Sequence, residues 1–320
     1  MRNDTITLID AYSQIYRGFY ALPLLSNSKG QFTNAVFAVA KFLISLDRDH
    51  GSAYGAVVFD KGRPEHRMKI IPEYKAQRPP MPEELRSQLP SIRELIEAFG
   101  WKIVEKDGQE ADDIIAAIAV TFKEKQVRIV SADKDIAQII DDRIKMLIPD
   151  RKGAGGFQLQ GPEEVVARFA VKPSQIVDYL SLIGDSSDNI PGIDGVGPKT
   201  AAKLIAQFGS IDKLLDSVSQ VESEKLRAKI AASRDFLSKN RQIITLDLSL
   251  PDDSLMELEL FHRKQPDFEK LKAMADDLDL KSIRAELERM SSGMSGPREV
   301  PSPKVEKKKK DESFTPDLFG

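Results

Sequence analysis

The chain contains no cysteine. That excludes disulfides, thiolate zinc sites and cysteine nucleophiles. Histidine is nearly as scarce: His50, His66 and His262 are the three present, and no two stand at ligand spacing. A transition-metal centre built on imidazole is therefore not expected. No apolar run is long enough to span a bilayer, and the N-terminus shows no signal-peptide pattern. The expectation is a soluble, cytoplasmic protein with no membrane partner.

Carboxylates, by contrast, stand where chemistry would want them. The apolar run ITLID stops at Asp10, YGAVVFD at Asp60 and VRIVSAD at Asp133. In an open parallel α/β sheet, ligands bind outside the carboxyl ends of the strands. Three strand-end aspartates would then converge on one edge. Crowded like charges raise one another's pKa, and bound cations relieve the repulsion. Glu110, Asp112, Asp113, Asp135, Asp185 and Asp188 bring the candidate ligands to nine. Oxygen donors without His or Cys favour hard ions such as Mg²⁺ or Mn²⁺. The 47 Lys and Arg against 50 Asp and Glu give a net −3; with the nine set aside, the balance becomes +6. A mildly basic remainder is compatible with a phosphate backbone.

The 320 residues suffice for a large α/β domain, a helical domain and a tail. Strand patterns fall at 4–10, 53–60, 101–104, 127–132 and 144–148. Helical periods fall at 34–49 and 83–99 and from about 111. That alternation argues for a parallel-type sheet flanked by helices. From about 162 strands largely vanish, and helical periods follow at 173–183, 198–208, 210–217, 222–240 and 265–290. The expected division is a catalytic domain over 1–170, a helical domain over 171–265, C-terminal helices over 266–290 and a disordered tail over 291–320.

Each motif admits two readings. In GQEADDII (108–115), Glu110 and Asp113 share a helical face, but acidic residues also suit a helix N-terminus electrostatically. In SADKD (131–135), Asp133 and Asp135 could bind metal or cap a helix. GDSSDNIPG (184–192) is either a ligand-bearing loop or an ordinary polar one; it lacks the spacing of an EF-hand. GVGPKTA (195–201) offers Gly195 and Gly197 for a tight turn and Pro198 for a first helical position. Lys199 and Thr200 then stand near exposed helix N–H groups, as at a phosphate site. Residues 61–82 are basic and proline-rich, and Tyr74, Lys75 and Arg78 could stack a base and neutralise phosphate or simply be solvated. Tyr16 and Arg17, after the first strand, invite the same pair of readings.

The order of the pieces is more telling than any one of them. LIDAYSQIYRGFYAL, VVFD, YKAQR, GQEADDIIA, SADKD and GDSSDNIPGIDGVGPKTAAKLI occur in succession. Together they closely resemble the 5′ nuclease family, which includes the 5′–3′ exonuclease domain of bacterial DNA polymerase I and the flap endonucleases. The resemblance covers roughly residues 4 to 265. It implies a PIN-like 5′ nuclease fold with a helix-hairpin-helix-like DNA-binding domain, its hairpin at 192–200. It places Asp10, Asp60, Glu110, Asp112 and Asp113 around a first metal ion. Asp133, Asp135, Asp185 and Asp188 would surround a second, some through water. Lys75 and Arg78 match the basic residues of a helical gateway that contact the scissile phosphate. Tyr74 matches a neighbouring position able to stack on a displaced base. The GVGPKT hairpin would grip duplex backbone, with K⁺ held by its carbonyls. Ala11 and Ala38 replace glycines frequent in the family; neither is a ligand.

The implied function is a structure-specific 5′–3′ exonuclease and flap endonuclease of replication and repair, acting on 5′ flaps, nicks or RNA primers. A monomeric, nucleoid-associated protein is expected; no polymerase sequence follows residue 290, so either the enzyme stands alone or the chain is a fragment. Asp317, Leu318 and Phe319 resemble the end of bacterial sliding-clamp-binding peptides, with Thr315 where Gln is usual. A small ribonuclease of similar acidic fold would lack the helical segments at 173–240. A non-catalytic branched-DNA binder would be expected to have lost a ligand, and none is missing.

Overall fold

A computed structural model describes residues 4–149, 156–249 and 253–292. Short apolar, β-branched runs form the strands, as their composition favours. They are β1 (Thr5–Asp10), β2 (Tyr54–Val58), β3 (Lys102–Val104), β4 (Gln126–Val130), β5 (Ile144–Pro149) and β6 (Phe157–Gln160). They form one sheet in the order β3-β2-β1-β4-β5-β6. All neighbours are parallel except β5 and β6. The chain winds outward one way from β1 through β2 and β3, then resumes on the other side at β4. The carboxyl edge between β1 and β4 is therefore the topological switch point, where a ligand crevice is expected.

The helices are α1 (Ala11–Ala21), α2 (Asn34–His50), α3 (Glu65–Ile70), α4 (Glu83–Arg86), α5 (Leu89–Ala98), α6 (Ala111–Thr121) and α7 (Pro162–Phe169). Then follow α8 (Ile176–Ile183), α9 (Pro198–Phe208), α10 (Ile211–Asp216), α11 (Glu224–Ala232), α12 (Arg234–Ile244), α13 (Phe268–Asp277) and α14 (Lys281–Ser291). Strand alternation sends Ile6, Leu8, Ala56, Val58 and Ile129 to one face and Ile9, Val57 and Val130 to the other. The second face is covered by α1, α2 and α5, and by α13 and α14, which return from the end of the chain. The first face is covered by α6, and the same apolar cluster continues without a break into α8, α9, α10 and α12. Helix α6 is apolar nearly all round, as a helix buried on every side must be.

Some elements differ from the sequence pattern. The period over 83–99 is two helices, α4 and α5, parted at Ser87 and Gln88, with Pro90 in the first turn of α5. The period over 222–240 is likewise two helices meeting at Ser233, whose hydroxyl donates to the Lys229 carbonyl at 2.6 Å. Strand β6 is unforeseen, being four residues of FQLQ just after Gly155 and Gly156. Helices α1 and α7 are also additional. Ala38 is accommodated because α1 presents Gly18 there: a Cβ on Gly18 would lie 2.7 Å from that of Ala38.

Candidate metal centre

Strand register assembles the centre. Asp10 pairs with Val58, and Ile9 with Val130. Asp60 and Asp133 thus follow the carboxyl ends of the strands on either side of β1. Asp10 also caps α1, its Oδ1 accepting the Ser13 N–H at 3.0 Å. Its Oδ2 accepts the Ser131 hydroxyl at 2.9 Å, and that hydroxyl accepts the Asp133 N–H at 3.1 Å. Asp60 accepts the Ala111 N–H at 3.1 Å, which ties it to the start of α6. Burial, with repulsion from Asp60 and Asp133, pushes the Asp10 carboxyl up to about 7. Burial also raises Asp60.

Glu110 is the N-cap position of α6, and Asp112 and Asp113 lie in its first turn. An oxygen from each of the three lies within 4.8 Å of the others. Asp113 is gripped by Arg67, Nη1 to Oδ2 at 2.5 Å and Nη2 to Oδ1 at 2.7 Å. Glu110 accepts from Arg67 Nη1 and from Lys75 Nζ. Burial would raise Glu110, but Lys75 and Arg67 outweigh it and hold this carboxyl below its ordinary range. For Asp112 the balance goes the other way: burial, then Glu110 and Asp113, outweigh Lys75 and Arg67 and drive it well up.

The second group surrounds the loop after α8. Asp185 caps a short 3₁₀ turn, Ser186–Asp188, by accepting from the Ser187 N–H at 2.9 Å. Lys134 Nζ lies 3.2 Å from Asp185. Asp133 accepts the Asp135 N–H at 2.9 Å. Burial first, then neighbouring acids, raises both Asp133 and Asp135, with Asp185 and Asp188 among those acids. The loop must double back tightly. Gly184 has φ +72, and a Cβ there would come within 2.4 Å of the Gly192 nitrogen.

The basic segment is laced to this loop. Lys75, with φ 55, donates its backbone N–H to the Asp188 carbonyl at 3.1 Å. Asn189 donates to the Glu73 carbonyl at 3.0 Å. Arg78 donates to Asp188 Oδ1 at 2.5 Å. Lys75 Nζ lies 3.7 Å from Asp188 while bonding Glu110, so it bridges the two groups. Burial opposes its charge, but Tyr74, Glu110 and Asp188 prevail and hold it protonated. A cavity of about 270 Å³ opens here, lined by Tyr12, Tyr16, Asp60, Arg63, Lys75, Arg78 and Glu110.

Other candidate residues lie in various settings. Tyr74 lines the same cavity but is only 7% exposed, its hydroxyl 3.3 Å from Glu110, so little of its surface is open to a base in this conformation. Tyr16 lies between Tyr12 and Tyr20, with ring centroids 6.1 and 6.3 Å away. Arg17 donates to the Pro149 carbonyl at 3.0 Å, at the end of β5. Gly195 has φ +84, Gly197 caps α9, and Lys199 is exposed beside Thr200. Asp317, Leu318 and Phe319 lie outside the described residues. Arg67, 1% exposed, was not singled out by the sequence. It stands among other basic residues, and nothing in the pattern marks it as buried.

The donor set suits hard divalent ions. It is carboxylate oxygen throughout, and Asp10, Asp60, Asp112, Asp133 and Asp135 are held above their ordinary range first by burial. Such desolvated anions are stabilised by added positive charge.

A family model described as 5′-3′ exonuclease, N-terminal resolvase-like domain, matches residues 5–170. A second, 5′-3′ exonuclease, C-terminal SAM fold, matches residues 171–269. A 5′-3′ exonuclease of Aquifex aeolicus is 37% identical over 288 residues, covering 89% of this chain and 96% of that protein. DNA polymerase I of Bacillus subtilis is 39% identical over 265 residues, covering 81% of this chain but 30% of the polymerase. Among solved structures, zinc-bound T5 5′-exonuclease superposes with a TM-score of 0.64 at 20% identity, covering 89% of this chain and 98% of that one. The catalytic core of Rad2 with DNA substrate gives 0.61 at 16%, covering 90% and 92%. These two show the fold.

Proposed function

The chain belongs to the 5′–3′ exonuclease family and is a nuclease, and from that premise we propose that it hydrolyses phosphodiester bonds near the 5′ end of DNA at flaps, nicks and 5′ termini. The observation that carries this is the position of Lys75 and Arg78. They stand over Glu110 and Asp188 at the mouth of a cavity that reaches Asp60. A phosphodiester entering that cavity meets two cations on one side and the carboxylate edge of the sheet on the other.

Two divalent ions, Mg²⁺ or Mn²⁺, belong to this proposal; it is supported by Glu110, Asp112 and Asp113, whose oxygens come within 4.8 Å of one another. Asp10, Asp60, Glu110, Asp112 and Asp113 would hold one, and Asp133, Asp135, Asp185 and Asp188 the other. When bound, the pair supplies an activated water and stabilises the leaving oxygen of an in-line displacement. Lys75 and Arg78 offset charge that builds on the phosphoryl oxygens. Cleavage leaves a 5′-phosphate and a 3′-hydroxyl.

Residues 1–170 carry the chemistry, with the gateway at 61–82. Residues 171–265 grip the duplex, the hairpin at 192–200 presenting Lys199 and the N-terminus of α9 to phosphate, with K⁺ on its carbonyls. Tyr16, Arg17 and Tyr74 guide the displaced strand, Tyr74 after leaving its buried position. RNA–DNA hybrids belong to the same substrate class. The protein works as a monomer in the cytoplasm, at the nucleoid, with Asp317, Leu318 and Phe319 docking on a sliding clamp.

The test is cleavage of a 5′-flap duplex labelled at either end, with Mg²⁺, with EDTA and with Asp188→Asn. Metal-dependent cutting at the branch, lost in the variant, supports the proposal. Tight flap binding without cutting in Mg²⁺ or Mn²⁺ overturns it.

A further inference from the structure

We propose that Arg67 is a positioning residue that couples the metal centre to the end of α12. This rests on the reading of the site given above. Arg67 lies on α3 and is 1% exposed, so it cannot touch substrate. Its guanidinium bonds Glu110 through Nη1 and holds both oxygens of Asp113. Its Nε donates to the Ile243 carbonyl, in the last turn of α12, at 2.8 Å. One planar group therefore fixes two candidate ligands and the terminus of a helix from the far part of the chain.

Two more contacts reinforce the link. Asp113 Oδ1 also accepts the Asp247 N–H at 2.8 Å. Gln138, following Asp135, donates to the Ile244 carbonyl and accepts from the Leu246 N–H, both at 3.0 Å. The turn after α12 is thus hung from side chains of the metal centre. Any shift of Glu110 or Asp113 on metal loading must move the fork, and the fork moves the Ile243 carbonyl. Linkage makes the effect reciprocal: a shift of α12 when duplex binds would re-aim the two carboxylates. The rigid fork is what transmits, and a lysine could keep the charge but not three simultaneous directions.

The experiment is amide hydrogen exchange on the full chain, with Mg²⁺ and with EDTA, for the wild type and Arg67→Lys. In the wild type, Mg²⁺ should slow exchange at Leu246 and Asp247 by about tenfold, within the usual range of coupling between sites. In Arg67→Lys the response should vanish, and kcat on a flap duplex should fall by about a hundredfold, the cost of a small misplacement. Flap binding in EDTA should stay within about threefold, since the positioning is not of the DNA. Wild-type exchange at 243–247 that ignores Mg²⁺ overturns the proposal even where the variant does not fold. So does a folded Arg67→Lys with wild-type kcat: a purely structural arginine would lower only the melting temperature. If the wild type cuts no flap yet shows the Mg²⁺ response and loses it in Arg67→Lys, the coupling stands and the nuclease reading falls.

Discussion

Lys75 bonds Glu110 and lies 3.7 Å from Asp188, so a single ammonium spans the two carboxylate groups of the centre. It does so from a left-handed backbone with φ 55, held by its N–H on the Asp188 carbonyl. A non-glycine residue pays roughly 1–2 kcal/mol for that conformation. The lysine is thereby placed where incoming phosphate and carboxylates meet. Lys75→Met should lower the melting temperature in EDTA, because Glu110 loses a partner while remaining buried. Mg²⁺ should then stabilise the variant by more than it stabilises the wild type, in a thermal-shift titration. Flap cleavage by the folded variant should fall by about 10²–10³ in kcat.

Asp10 makes stability depend on pH. Its folded-state carboxyl is raised to about 7 from an ordinary 3.8, so between those values the folded state binds more protons than the unfolded one. Stability from this group is full below about pH 4 and is lost as pH rises through about 7. Asp10→Asn, which retains a helix cap, removes the effect. In EDTA the variant should gain stability relative to wild type as pH rises from 4 to 8, read from paired denaturant melts. Saturating Mg²⁺ should reverse the order at pH 8, because the charged carboxylate then has a cation to bind.

The loop carrying Asp185 and Asp188 depends on glycine. Gly184→Ala places a Cβ within 2.6 Å of the Ile190 carbonyl oxygen at a backbone φ of +72. The substitution should cost about 2 kcal/mol or more by urea denaturation, since clash and strain add. Cleavage should fall with it, because Asp185 exchanges backbone hydrogen bonds with Ile190 at 2.8 Å in both directions.

Lys199 tests the hairpin separately from the chemistry. It is exposed at the start of α9. Lys199→Ala should weaken duplex binding and reduce the slope of log K against log salt by about 0.9 for one phosphate contact. Single-turnover cleavage at saturating enzyme should stay close to wild type.

Much of this architecture was legible in the sequence for a simple reason. Strand ends are marked by where apolar runs stop, and Asp10, Asp60 and Asp133 stop three of them. Parallel pairing then brings those ends together without further information. Arg67 was not legible, because burial of an arginine is decided by its partners, and Glu110, Asp113 and Ile243 lie 43 to 176 positions away. Tyr74 looked like a surface aromatic beside cations, but its ring completes the core under the gateway. Strand β6 escaped because an edge strand of four residues needs only one neighbour and leaves little apolar pattern.

Two divalent ions should sit at the carboxyl edge of the sheet. Crystals grown with Mn²⁺ and measured for anomalous scattering test it most directly. Two peaks should appear roughly 3.5–4 Å apart, one against Glu110 and Asp112, the other against Asp185 and Asp188. Peaks elsewhere on the protein, or none at these carboxylates at saturating Mn²⁺, would contradict it.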